Sequence, residues 1–525
     1  MLQLRPYQAA AVAAIPQWFE TQTGNPLVVI PTAGGKSLII SKFIQETLES
    51  WPDTKILVVT HVKELIAQNH AELMALWPQT PAGIYSAGLN KREHKAQILF
   101  CGIQSIHSKA NLLQRVDLVL IDEAHLVPRN AETIYGKFLN QLKQINPYIK
   151  VVGFTATPYR LTEGLLHQGP GAMFDGIAYE ASVLDLINQG YLCRPISRPA
   201  KRQIDTRGVK TIGGEFAAGQ LEAVALDPDT IGAIADEIIA AGADRKGWLI
   251  FGCGVKHCEA MHAALTAQGI ACGVIFGDTP PTERAQIIAD FKAQKLRALC
   301  SMGVLTTGFN APHVDLIAIV RPTKSVGLYI QIVGRGTRLH PDKVDCLILD
   351  FGGNIARHGP IDQPIVKQKT GSEKGEMPLK KCPECEEPNK LTARECYNCG
   401  FEFPPPEKQV EIYAGTGAIL SSDIKPEWVI VDKITYTRHE KTGGQPSLCV
   451  SYWCGLTAHK EWVCFEHTGY ARTKAVTWWQ TRSAQPVPNT VGEALKFYSS
   501  LRQPIEIMVR AKGKYTEIVK YKWAA

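Results

Sequence analysis

No apolar run in this 525-residue chain approaches the ~18 residues that a membrane-spanning helix needs, so a helical membrane anchor is excluded on sequence grounds. The short run AAAVAAI (Ala9–Ile15) follows Gln8 and runs into Pro16–Gln17. That makes a helix the expectation rather than a signal-peptide core, and a cytoplasmic location follows. Charge of one sign is also scarce: 57 Lys+Arg against 50 Asp+Glu leaves a net charge of +7. With 45% hydrophobic and 20% charged residues, the composition is that of an ordinary globular protein. Apart from one spaced set, the fourteen cysteines are scattered, as reduced core cysteines are. No nuclease motif stands out.

What the chain does contain is a regular alternation. Short apolar runs, Leu27–Ile30, Ile56–Val59, Leu118–Ile121 and Val151–Phe154, alternate with helical patterns such as Lys36–Glu49. A second series holds Trp248–Phe251, Leu316–Val320 and Cys346–Leu349, with a helical pattern over Asp229–Ala241. This is the signature of parallel sheets with crossover helices, so two α/β lobes are expected, 1–190 and 191–358. A polar stretch over 359–378 reads as a linker. A cysteine segment, 379–406, follows, and alternating runs over 410–525 suggest a small β-rich domain.

Chemistry enters with PTAGGKS (Pro31–Ser37), between the first strand and the first long helical pattern. A glycine-rich turn there lets backbone N–H groups close on phosphate oxygens, helped by the helix dipole. Thr32, Gly34 and Gly35 belong to the turn, Lys36 can reach the β- and γ-phosphates, and Ser37 can hold Mg²⁺. The strict motif fails, because Ile30 stands where its first glycine belongs. A Mg²⁺ on a triphosphate needs a carboxylate opposite the serine, and DLVLIDEAHLVP (Asp117–Pro128) supplies Asp122 at a strand end. Glu123 is then placed to orient or deprotonate the attacking water. His125 could contact Gln331 or Thr155, or simply satisfy local hydrogen bonds.

Asp122-Glu123-Ala124-His125 resembles the DEAH box of superfamily 2 helicases, and further signatures fall in that family's order. LRPYQ (Leu4–Gln8) looks like the adenine-reading motif, with Gln8 on the base edge and Arg5 or Tyr7 on its face. THVKELIAQN, GIQSI and TATPYR resemble first-lobe motifs. GDTPPTER, LTTGFNAPHVD and QIVGRGTR resemble second-lobe motifs. Within the superfamily, LRPYQ, HVKELIAQNH and the cysteine pairs resemble the RadD-type bacterial DNA-repair helicases. Two departures stand out: Ala33-Gly34 inverts the more usual Gly-Ala order, and Asn310 stands where Asp is commoner.

The resemblance implies two tandem RecA-like parallel-sheet lobes with ATP between them. It places Lys36, Ser37, Asp122 and Glu123 on one side and Gln331, Arg335, Arg338, Gly308 and Asn310 on the other. A finger arginine is worth ~10³–10⁵ in rate and acts only when the cleft closes. Gln104, Ser105, Thr157 and Thr307 are implied as grips on nucleic-acid phosphates. The partner implied is DNA, single-stranded or branched, with RNA left open and repair proteins as possible associates. The readings that compete are a DNA motor in repair or recombination, an ATP-gated binding or remodelling factor, and a translocase subunit of a restriction system.

Cys382, Cys385, Cys396 and Cys399 form two C-x₂-C pairs, which suit a structural tetrahedral Zn²⁺ in a small ribbon. Beyond them, residues 425–525 hold fifteen Lys and Arg against eight Asp and Glu, an excess equal to that of the whole chain. They also hold six of the ten tryptophans. Basic residues among aromatics suit phosphate contact with base stacking; the alternative is a Trp-rich core beneath a solvated basic face.

Overall fold

A computed structural model describes residues 3–129, 132–160, 164–198, 200–306, 308–365, 379–381, 388–390, 419–420, 426–440, 445–455, 457–512 and 515–523. The chain divides into two compact units, one reaching to His358 and the other holding Gly359–Ile365 and the residues beyond Ile412. Cys382, Cys385, Cys396, Cys399 and Thr307 lie outside the described residues.

The first unit contains two sheets. In the first lobe the strands lie in the order Gly176–Glu180, Pro26–Val29, Lys150–Thr155, Leu118–Asp122, Ile56–Thr60, Ile98–Gly102 and Ala82–Ser86. All of these pair in parallel, and only the short Lys91–Arg92 at the edge runs antiparallel. The central strands are buried along their length because helices cover both faces, which is why they read as unbroken apolar runs. Leu27, Val59, Leu99, Ile121, Phe138 and Phe174 meet in one core.

The second lobe is a six-stranded parallel sheet in the order Arg194–Arg198, Asp345–Asp350, Leu316–Ile319, Trp248–Phe251, Ala298–Ser301 and Cys272–Ile275. Its core gathers Ile234, Trp248, Met261, Leu316 and Phe351. The helix expected over Asp229–Ala241 runs from Pro228 to Ala241, and the Asp227 carboxylate caps it by accepting from the Thr230 N–H at 2.9 Å. Two parallel α/β lobes are therefore what the alternating pattern implied. In open sheets of this kind ligands bind beyond the carboxyl ends of the strands, and both phosphate-site segments leave the first sheet there.

The second unit is built from two three-stranded antiparallel sheets and the helix Tyr470–Gln480. One sheet joins Glu427–Ile430, Pro504–Lys512 and Tyr515–Trp523; the other joins Lys433–His439, Ser447–Cys454 and Thr457–Val463. Trp478 and Trp479 are buried in its core with Leu448, Val450, Phe465 and Ile507. A buried arginine, Arg482, lies over the rings of Trp478 and Tyr521 at 4.2 Å and of Trp523 at 5.1 Å. Glu461 balances it at 3.8 Å and accepts hydrogen bonds from Tyr452 Oη, Trp478 Nε1 and Tyr521 Oη at 2.5, 2.6 and 2.8 Å. Part of the aromatic excess thus makes a core, whereas Trp428, Trp453 and Trp462 stay exposed.

Candidate nucleotide site between the lobes

The turn Pro31–Gly35 runs from the first strand into the helix Lys36–Ser50. Its tightness comes from two residues with positive φ, Ala33 at 69° and Gly35 at 78°. Glycine meets that demand at no steric cost, and a Cβ on Gly35 would strike the Gln8 amide at 2.4 Å. Ala33 has no such freedom, so the inverted Ala-Gly order leaves an alanine in the left-handed region.

Lys36 Nζ reaches both acidic residues, 2.6 Å from Glu123 Oε1 and 3.1 Å from Asp122 Oδ1. Burial alone would lower the lysine's pKa, but the two carboxylates outweigh it and raise the value. Burial likewise pushes the Glu123 carboxyl up, yet Lys36 and His125 together hold it well below the usual carboxylate range. Glu123 sits at φ 53°, and that turn aims its side chain back toward Lys36. Asp122 is buried, accepting from the Glu123 N–H at 2.9 Å and from Asn69 Nδ2 at 2.9 Å.

His125 links the lobes. The Gln331 amide donates to its Nε2 at 2.9 Å, which leaves the ring proton on Nδ1, 3.1 Å from Thr155 Oγ1 and 3.2 Å from Glu123 Oε2. Thr155 stands on the strand between those carrying the turn and the acidic pair. Two further contacts cross the seam. Thr337 Oγ1 donates to the Thr32 carbonyl at 3.4 Å, and Arg284 lies 3.6 Å from Glu64. Gly334 approaches Thr32 so closely that a Cβ there would sit 2.4 Å from the threonine Cβ.

The cleft is lined by Thr32, Gly35, Lys36, Ser37, Asp122 and Glu123 from the first lobe and by Gly308, Asn310, Gln331, Arg335 and Arg338 from the second. The two arginines are not equivalent. Arg335 is buried and donates to the carbonyls of Phe309 (2.8 Å) and Thr306 (2.5 Å); burial first, then Arg338, pushes its pKa down to about 9. Arg338, lowered by burial to about 10, keeps a buried Nη1 with no hydrogen-bond partner. Arg335 Nε is likewise buried without a partner, and such unpaired cationic N–H groups fit an anionic ligand.

Other expected positions sit elsewhere. Gln8 accepts from the Arg5 N–H at 3.0 Å and donates to the Gly34 carbonyl at 3.2 Å, which Tyr7 Oη also reaches at 2.7 Å. Both residues thus brace the turn, while Arg5 lies over Tyr191 at 5.0 Å. Thr157 is fully buried against Gly327, so its hydroxyl reaches no surface in this arrangement. Gln104 is exposed, and Ser105 Oγ accepts from the Ala87 N–H at 2.9 Å. The residue that sequence reasoning missed is Asn69. Its signal was a polar side chain on a buried helix face shared with Leu65, Ile66 and Leu73.

Comparison with known proteins follows these lobes. Residues 1–160 match the family described as Type III restriction enzyme, res subunit, and residues 231–340 match the Helicase conserved C-terminal domain. The chain carries the paired domains of a superfamily 2 helicase. Among curated relatives of this superfamily 2 chain is "Putative ATP-dependent helicase IRC3" of Saccharomyces cerevisiae, 28% identical over 361 residues, or 67% of this chain. The chain spans about half the length of the two yeast relatives it matches, 51% and 58%. A "51.5 kDa protein" of a Lactococcus phage is 22% identical, covering 87% of this chain and 99% of its own length. Among solved structures, the fragment of a "putative HsdR subunit of a type I restriction enzyme" from Vibrio vulnificus YJ016 shares the fold. Its TM-score is 0.53 at 18% identity, over 67% of this chain and 65% of that one.

Proposed function

We propose that this chain is an ATP-dependent motor on DNA, hydrolysing ATP at the seam between its two lobes. The observation that carries the reading is the convergence of Lys36, Asp122 and Glu123 with Arg338, whose buried Nη1 has no hydrogen-bond partner, across one cleft. Glu123, held ionised, can accept a proton from the attacking water, and His125 orients it through Nδ1. Lys36 exchanges its carboxylate partners for phosphate oxygens, and Arg338 meets charge that develops on the transferring phosphate. The oxygen donors of Ser37 and Asp122 suit Mg²⁺, which when bound neutralises phosphate charge. Because Gln331 and Arg338 come from the second lobe, the chemistry depends on closure, which is how hydrolysis can alternate two grips along a strand.

The test is the rate of ATP hydrolysis against single-stranded, forked, duplex and RNA ligands, alongside strand displacement on forked DNA. Stimulation by DNA with displacement supports the motor. Stimulation without displacement makes it an ATP-gated remodelling factor. A flat rate across all ligands removes the nucleic-acid reading.

A place in DNA repair rests on the resemblance to RadD-type helicases. A second reading, a translocase subunit of a restriction system, draws on the restriction-enzyme families that match the first lobe and the fold. DNA cleavage alongside translocation would favour it. The two cysteine pairs are proposed to hold one structural Zn²⁺, for which elemental analysis should find one metal per chain, lost in Cys382→Ser or Cys399→Ser. A cytoplasmic setting is part of the same proposal; among the described residues no helix is long and apolar enough to cross a membrane.

A further inference from the structure

The sheet formed by Lys433–His439, Ser447–Cys454 and Thr457–Val463 has two unlike faces. Strand alternation sends Leu448, Val450, Tyr452 and Val463 into the core. The opposite face therefore carries the residues of the other parity. Read across the strands, Lys433 pairs with Trp453 and Trp453 with Ala458. Next come Thr435, Ser451 and Lys460, then Thr437, Cys449 and Trp462.

Two large rings thus stand on a face whose other members are short or cationic, apart from His439, whose ring meets Trp462 edge-on at 6.4 Å. Trp453 is 39% exposed and Trp462 is 41% exposed, although indole is a side chain that folding usually covers. Between them Cys449 and Ser451 are only 8% and 7% exposed, so the small side chains form a floor beneath the flanking residues. Trp453 Nε1 donates to Thr435 Oγ1 at 3.3 Å, which anchors one ring. Lys433 and Lys460 are both exposed, one beside each tryptophan along the face. The register separates the two rings by four residues along the strands, or ~14 Å at the usual rise.

The structure assigns this face, we infer, to single-stranded nucleic acid: Trp453 and Trp462 stack on two bases, and Lys433 and Lys460 meet the phosphates beside them. Stacking platforms of this kind tolerate any base, because every base has a π-face. The basic excess of residues 425–525 favours an anionic occupant over an apolar or basic protein surface, and the two exposed indoles favour an anion that carries bases to stack. The inference rests on the reading of the chain as a nucleic-acid motor. It adds a second contact, outside the two lobes, that holds the strand while the lobes change their grip.

The experiment uses the full chain, with oligo(dT) and oligo(rU) as probes, followed by intrinsic tryptophan fluorescence and by titration at several salt concentrations. Oligo(dT) should quench the fluorescence. Trp453→Ala and Trp462→Ala should each weaken binding about ten-fold, with Trp→Phe at the same positions retaining most of it. Lys433→Gln and Lys460→Gln should each lower the salt slope by ~0.7. These exposed lysines keep the test decisive should an alanine variant fail to fold. Equal loss of both probes in the tryptophan variants makes the face blind to the sugar, and loss of one probe alone names the strand it takes. Unchanged affinity in a folded Trp453→Ala/Trp462→Ala chain, or unchanged slopes in both lysine variants, overturns the assignment. ATP hydrolysis measured on the same wild-type samples keeps the two claims apart. Quenching without stimulation sinks the motor, and stimulation without any effect of these four residues sinks the platform.

Discussion

Gln331 and His125 lie 2.9 Å apart, nitrogen to nitrogen, on opposite lobes of the first unit. The same histidine holds Glu123 and Thr155, so a single ring touches the acidic pair, the strand between it and the phosphate turn, and the second lobe. Gln331→Ala should leave nucleotide binding intact and cut DNA-stimulated hydrolysis by roughly five- to ten-fold, about one neutral hydrogen bond. His125→Ala added to it should cost little more than His125→Ala alone, because the two act through one contact. Rates with and without DNA for the four proteins of this cycle provide the check.

At the chemical step, Lys36→Ala should remove turnover and nucleotide affinity together. Glu123→Gln should keep affinity and lose ~10²–10⁴ in rate, since it takes away a base but leaves a side chain of the same shape. Separate measurement of analogue binding and single-turnover hydrolysis distinguishes the two; equal effects in both variants would refute the division of roles.

The meeting of Lys36 with Asp122 and Glu123 was legible because these residues sit in short stretches whose strand–turn–helix setting is itself written in the apolar pattern. Asn69 was not, since its contact with Asp122 is made across 53 positions of sequence, and only a polar side chain on an apolar stripe hinted at it. Gln8, expected on a base edge, also braces the turn through the Gly34 carbonyl, a bond made across 26 positions of sequence. Thr157, expected as a surface grip, is fully buried with Gly327 beside it, a closeness that only the fold creates. The tail's composition could not separate Trp478 and Trp479, which fill a core, from Trp453 and Trp462, which do not; only strand register does that.

Ala33 offers a stability test. Its φ of 69° costs an L-residue ~1–2 kcal/mol, while glycine gives back ~0.5–1 kcal/mol in unfolded-chain entropy. Ala33→Gly should therefore stabilise the chain by about 0.5–1 kcal/mol, read as a small rise in the unfolding midpoint.

Closure can be tested at Gly334, where any Cβ meets Thr32. Gly334→Ala should fold and bind nucleotide weakly, with hydrolysis lost. Thr32→Gly in the same chain should restore contact between the lobes, and small-angle scattering with a nucleotide analogue would register the difference.

Acid should weaken the fold through His257, fully buried with Nδ1 accepting from the Cys253 N–H at 3.1 Å. Burial pushes its pKa down to about 4 from an ordinary 6.5. The unfolded chain then binds the extra proton, so this contribution is complete above pH 6.5 and falls away toward pH 4, by about 3 kcal/mol in all. His257→Asn, which keeps an acceptor, should flatten the stability profile in that window by one proton's slope.

The two carbonyls on which Arg335 rests belong to Thr306 and Phe309, on either side of the Thr307 position that the helicase resemblance implies as a phosphate grip. Its guanidinium is planar and stiff, and its other neighbours are the nucleotide cleft and Glu123. One side chain thus joins the backbone on either side of that position to the lining of the nucleotide cleft, so Arg335→Ala would release both carbonyls and the cleft wall at once.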